Sequence, residues 1–146
     1  MPNLLEKLQT DIGETGTVLA WHMPYEKGCN NRMASFYPEY KEFLDNLNER
    51  MLDLKTPFSE MWFFDKDFFG SASIKKVLPV LCPELSYKEL DVSDGLLARR
   101  IWTQTVLEDK NQDKKEKIMS DLSKYCTLDT YGMVRILEEL RKICSE

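Results

Sequence analysis

Two short apolar segments, Thr17-Val18-Leu19-Ala20-Trp21-His22 and Met51-Leu52-Asp53-Leu54, flank two stretches of helical spacing, and this order constrains the fold most. Glycine precedes the first segment and Pro24 follows it, while Pro57 stops the second. Between them, Tyr25 to Met33 predicts one helix and Pro38 to Arg50 another. In the second helix, apolar Tyr40, Phe43, Leu44 and Leu47 recur at three- and four-residue intervals. Strand, helices, strand is a crossover unit, so the two strands are expected to lie parallel with a right-handed connection. Parallel strands are normally buried on both faces of a larger sheet. Met61 to Phe64 offers a third strand at most. An α/β chain this poor in strands is expected to take more from a longer domain or from a partner, a second copy included.

At 146 residues, 42% hydrophobic and 31% charged, the chain has the composition of one soluble globular domain, residues 1–146. No apolar run approaches the roughly 18 residues needed to cross a bilayer, and the first residues lack the basic and apolar segments of a signal peptide. A cytoplasmic protein with no membrane contact is the expectation. Cys29, Cys82, Cys126 and Cys144 are far apart and His22 is the single histidine, which argues against structural zinc and against a histidine-based triad. A net charge of −5 argues against a module that coats nucleic acid non-specifically. It does not exclude a nuclease, whose metal-binding centre is itself acidic.

Lys115 to Cys144 reads as one helical stretch, with apolar Ile118, Leu122, Tyr125, Met133, Ile136, Leu140 and Ile143. Asp129 interrupts that stripe. At about 100° per residue, Leu122, Tyr125, Met133, Ile136 and Leu140 fall within roughly 40° of its direction. A carboxylate so placed costs several kcal/mol unless it is paired, hydrogen-bonded or holding a metal. Three arrangements satisfy it: a helix break near Thr127 with Asp129 as N-cap, a buried arginine partner, or a metal-binding carboxylate with Tyr125 beside it.

Tyr125-Cys126-Thr127-Leu128-Asp129, continuing into Thr130-Tyr131-Gly132-Met133-Val134, resembles the Y-x-x-x-D third motif of DEDD-type exonucleases in the RNase H-like superfamily. Val18 to Glu26 is similar to the second motif, an apolar strand running into an aromatic-plus-carboxylate pair, with Glu26 where aspartate is usual and His22 near an asparagine position. Gly70 to Pro79 and Glu84-Leu85-Ser86-Tyr87 resemble a bacterial domain family of unknown function within that superfamily.

The resemblance covers about Thr17 to Leu140. It implies an incomplete RNase H-like α/β fold, with few parallel strands and several helices. It also implies a metal-dependent 3′–5′ exonuclease-type phosphodiesterase acting on single-stranded DNA or RNA ends. Glu26 and Asp129 would be ligands to Mg²⁺ or Mn²⁺, and Tyr125 would orient the attacking water. The first motif, Asp-x-Glu, has no counterpart here, since Asp11-Ile12-Gly13-Glu14 has the wrong spacing. The chain is therefore expected to be inactive alone, as the C-terminal part of a longer domain. The alternative is a non-catalytic interaction or dimerisation protein that keeps a partial fold.

Lys75 and Lys76, after a glycine-serine turn, and Arg99 are candidate phosphate contacts, though solvated faces are the commoner use of such residues. Asp53 fits a strand end meeting a helix N-terminus or a turn better than it fits a further metal ligand. Trp62-Phe63-Phe64 and Phe68-Phe69 could stack on bases, but a cluster this dense is more often core.

Overall fold

The computed structural model describes residues 2–92 and 94–145. The chain divides into two compact units, Met1–Phe64 and Asp65–Glu146. In the first unit the elements follow the expected strand–helices–strand order: α1 (Pro2–Ile12), β1 (Val18–Ala20), α2 (Met23–Phe36), α3 (Lys41–Glu49), β2 (Met51–Asp53) and a single turn α4 (Thr56–Ser59). The strands pair in parallel, Val18 with Met51, Leu19 with Leu52 and Ala20 with Asp53. They are shorter than the apolar segments that contain them, because Trp21 and His22 already bend into α2.

Periodicity accounts for the packing. Phe43, Leu44 and Leu47 of α3 meet Leu5 of α1 and Ala34 of α2 in a buried cluster, closed by Leu8, Ile12, Val18, Met33, Tyr37, Tyr40 and Met51. Between α2 and α3, the buried Asn30 donates its amide to Asn48 at 2.8 Å, and Asn48 donates to Asn31 at 3.0 Å. Arg50 ties down the loop between α1 and β1 by donating to the carbonyls of Gly13 and Gly16, each at 2.8 Å.

Met61 to Phe64 forms no strand. Met61 turns the chain with φ 58°, Phe63 N–H bonds back to the Pro57 carbonyl at 3.0 Å, and the Phe63 ring meets Phe58 edge-on. The aromatic cluster is also less buried than its density suggests. Phe58 and Phe68 are core, while Trp62, Phe64 and Phe69 are exposed.

The second unit contains α5 (Ile74–Leu81), α6 (Gly95–Trp102), a π-helical continuation Thr103–Leu107, and α7 (Lys115–Ile143). Pro79 lies inside α5; Val77 and Leu78 are fully buried, and Cys82 N–H closes the helix on the Leu78 carbonyl. α5 and α6 both pack on α7. Gly132 permits the first of these contacts, since a Cβ there would lie 2.8 Å from Leu78 Cδ2. Among the described residues, one two-stranded sheet forms and no helix is long and apolar enough to cross a membrane.

Asp53 is the joint of the first unit. His22, the residue at the start of α2, has φ 82° and makes no side-chain cap. Asp53 caps the helix from the neighbouring strand instead, accepting from His22 N–H at 3.1 Å, Met23 N–H at 2.8 Å and Lys55 N–H at 3.0 Å. These satisfy donors that every helix start leaves open. Asp53→Ala should therefore lower stability by about 2 kcal/mol, the upper end of the range for lost caps, as read from urea unfolding at neutral pH; a change below about 0.5 kcal/mol would show that the carboxylate is dispensable.

Candidate functional site

α7 is unbroken from Lys115 to Ile143, so Asp129 is not an N-cap. It keeps the helical register that the stripe demands, with Leu122, Tyr125, Gly132 and Ile136 buried along the same helix and Asp129 half-buried among them. Its partner is not an arginine. The Tyr87 hydroxyl donates to Asp129 Oδ1 at 2.5 Å. Tyr87 arrives on a single 3₁₀ turn, Tyr87–Glu89, started by Ser86, whose Oγ accepts Lys88 N–H at 3.2 Å. Its ring is buried and tilted against that of Tyr125, centroids 6.0 Å apart.

Lys75, from the first turn of α5, completes the cluster. Its ammonium lies 5.6 Å from the Tyr125 ring centroid and 5.9 Å from that of Tyr87, and 3.5 Å from Asp94 Oδ2. Asp94 caps α6 by accepting from Leu96 N–H at 2.8 Å and Leu97 N–H at 3.2 Å. These backbone donors, with Lys75 assisting, hold its carboxyl below the usual range. The start of α6 stands beside the Tyr125 hydroxyl, which would make ordinary contact, at 3.5 Å, with a Cβ at Gly95. One carboxylate, two phenols, a lysine and a capped helix start thus converge within the second unit.

Both phenols are pushed well above their ordinary ionisation range. For Tyr87 burial is the main cause, followed by the hydrogen bond to Asp129 and the charge of that carboxylate. For Tyr125 burial again leads, followed by the charge of Asp129 and a hydrogen bond to it. The two tyrosines are therefore neutral donors at physiological pH.

Glu26 belongs to the first unit, in the first turn of α2, where the helix N-terminus favours a negative side chain. It is half-buried. Burial raises its carboxyl above the usual value, partly offset by His22. Lys76 turns to the Phe69 ring, 5.5 Å from its centroid, and Arg99 lines a shallow depression with Arg100, Thr103, Gln104 and Glu108. Of the sequence candidates in the second unit, Tyr125, Asp129 and Lys75 are brought together, while Lys76 and Arg99 face other neighbours.

Carboxylate oxygens suit a hard divalent cation, so Glu26 and Asp129 each fit as one ligand to magnesium or manganese. Among the described residues, no three His, Cys, Asp or Glu side chains form a group that could hold a metal ion. Tyr87 and Asp94 are the members that sequence reasoning missed. Asp94 before Gly95-Leu96-Leu97 carries a legible cap signal, but Tyr87 lies on a turn, outside any periodic pattern.

A helix-rich α/β chain with a small parallel sheet is the class that these features define. Residues 1–73, half of the sequence, match the family described as "Domain of unknown function (DUF2779)", and the chain belongs to that family. It is also similar to "Uncharacterized protein UU173" of Ureaplasma parvum serovar 3, 27% identical over 132 aligned residues that cover 73% of this chain. The chain spans 19% of that relative's length. No solved structure matches at a significant level.

Three outcomes follow from the electrostatics. Asp129→Leu strands the Tyr87 hydroxyl and should cost about 1–3 kcal/mol in denaturant melts, whereas a stabilised variant would show that the carboxylate is merely tolerated. Because the phenols titrate higher in the folded than in the unfolded chain, their protonated forms contribute stability that is full below about pH 10 and lost above it. Wild-type stability should fall more steeply above that pH than stability of Tyr87→Phe. The raised Glu26 works in the same sense at acid pH. Glu26→Gln should be more stable than wild type at pH 7, and the difference should vanish as pH falls below about 4.

Proposed function

We propose that this chain is part of an RNase H-like domain of the 3′–5′ exonuclease type, a module of a phosphodiesterase acting on single-stranded DNA or RNA ends. The observation that carries the reading is the half-buried Asp129 on an unbroken α7, one turn after Tyr125 and held by Tyr87. A carboxylate kept in an otherwise apolar stripe, and held by a phenol where an arginine would neutralise it, is the arrangement expected of a ligand. Glu26 and Asp129 would each be a ligand to magnesium or manganese, which when bound supplies activation of water and stabilisation of the leaving oxygen. Tyr125, a neutral phenol, orients the water through its hydroxyl. Lys75, held over the Tyr87 and Tyr125 rings and near Asp94, gives positive charge on the tyrosine side of the cluster for a substrate phosphate, and Lys76 and Arg99 are more peripheral contacts.

A second reading is supported by the sheet. Two parallel strands leave open edges, and Leu52 on β2 is 52% exposed, so further strands are called for. A partner could supply them to a non-catalytic interaction protein, a second copy included.

Nuclease assays separate the readings. The 146-residue chain should not degrade single-stranded DNA or RNA with Mg²⁺ or Mn²⁺, for want of an Asp-x-Glu pair. A longer gene product carrying that pair should release mononucleotides from 3′ ends. In it Glu26→Ala and Asp129→Ala should abolish activity, and Tyr125→Phe should slow it by about 10²–10⁴-fold. Robust hydrolysis by the 146-residue chain would show these ligands to be misassigned, and an inert longer product would favour the interaction protein.

A further inference from the structure

Tyr87 is far from Asp129 in sequence, 42 positions earlier, yet its hydroxyl meets the Asp129 carboxylate directly. The direction of that hydroxyl is set three times over. Ser86 fixes the turn that carries it, and Leu90 N–H returns to the Tyr87 carbonyl at 3.2 Å. The Tyr125 ring lies against it. The Lys75 ammonium lies over both rings and is itself drawn towards Asp94. Burial of the ring requires none of its polar chemistry, because phenylalanine would fill the same space. What the hydroxyl adds is orientation. The last torsion of an aspartate side chain is broad, so a carboxylate on a helix swings unless a donor fixes one oxygen. Ligating carboxylates are commonly held in this way by a neighbour that never touches the metal.

We propose that Tyr87 is a positioning residue whose hydroxyl sets the orientation of the Asp129 carboxylate, with Tyr125 and Lys75 holding the Tyr87 ring in place. The inference rests on the reading of Asp129 as a metal ligand, and it assigns to this site a residue outside the Y-x-x-x-D motif.

Tyr87→Phe is the test, since it keeps the ring and removes the oxygen. In the 146-residue chain, proton NMR should show a slowly exchanging downfield hydroxyl resonance that disappears in Tyr87→Phe and in Asp129→Ala but survives in Tyr125→Phe. If no such resonance appears, or if Tyr87→Phe leaves it in place, the proposed hydrogen bond is overturned.

In the longer gene product, Mn²⁺ binding followed by electron paramagnetic resonance should weaken about 10-fold or more in Tyr87→Phe. kcat at fixed Mn²⁺ should fall while KM for the oligonucleotide stays constant. Wild-type Mn²⁺ binding with an unchanged Tyr87→Phe affinity overturns the positioning role alone. A wild type that binds no Mn²⁺ overturns the metal-ligand reading and this role together.

Discussion

A half-buried carboxylate in the apolar stripe of a long helix must be answered by donors, and the second unit is arranged around that requirement. Asp129 cannot leave α7 without breaking the helix, nor turn outward without moving Tyr125 and Ile136 from the core. Its neighbours come to it instead. Tyr87 is delivered by a turn and Tyr125 by the previous turn of the same helix, while Lys75, from the start of α5, lies over both rings. The close approach of α5 at Gly132 and the capping of α6 by Asp94 bring the elements that carry or flank these groups against α7. Low local polarity strengthens each of these contacts and makes an unanswered charge expensive, so a polar cluster of this kind is stable only when its members satisfy one another.

The first unit solves a smaller version of the same problem. The backbone enters α2 through His22 in a left-handed conformation, with no side chain of its own to cap the helix. Asp53 supplies the cap from β2, so the strand pairing and the helix start hold each other in place. Glu26 follows one turn later, and its raised carboxyl follows from desolvation at this packed corner. In both units an acidic side chain decides where a helix sits. The difference is that every contact of Asp53 is to backbone within its own fold, while the neighbours that answer Asp129 are side chains, which can be exchanged or rearranged.

Membership of the DUF2779 family rests on residues 1–73, which include Glu26 and Asp53, whereas Asp129, Tyr125 and Tyr87 lie beyond the match. UU173 aligns over 73% of this chain, while the chain spans 19% of it, so the relative carries much sequence for which there is no counterpart here. The two-stranded sheet is small by the standards of parallel sheets, whose strands are buried on both faces only when others flank them.

Local pattern alone determined the helices and the parallel pair. Helical spacing in Phe43-Leu44-Leu47 and along α7, and the strand–helix–strand order between Thr17 and Leu54, depend on neighbours within a few residues and on the handedness of crossovers. The cap role of Asp53 was likewise legible from its place at a strand end. Pattern failed at Met61 to Phe64, where apolar content suggested a strand but contacts to Pro57 and Phe58 folded a turn. It placed Asp129 on a buried face and demanded a partner without naming one. That choice was tertiary. Tyr87 stands 42 residues away on a turn with no periodicity, and only the packing of α5 and α7 brings its hydroxyl to the carboxylate. Spacing along a helix is set by the backbone, whereas a partner across the core is set by which surfaces pack, and a single sequence records that only indirectly.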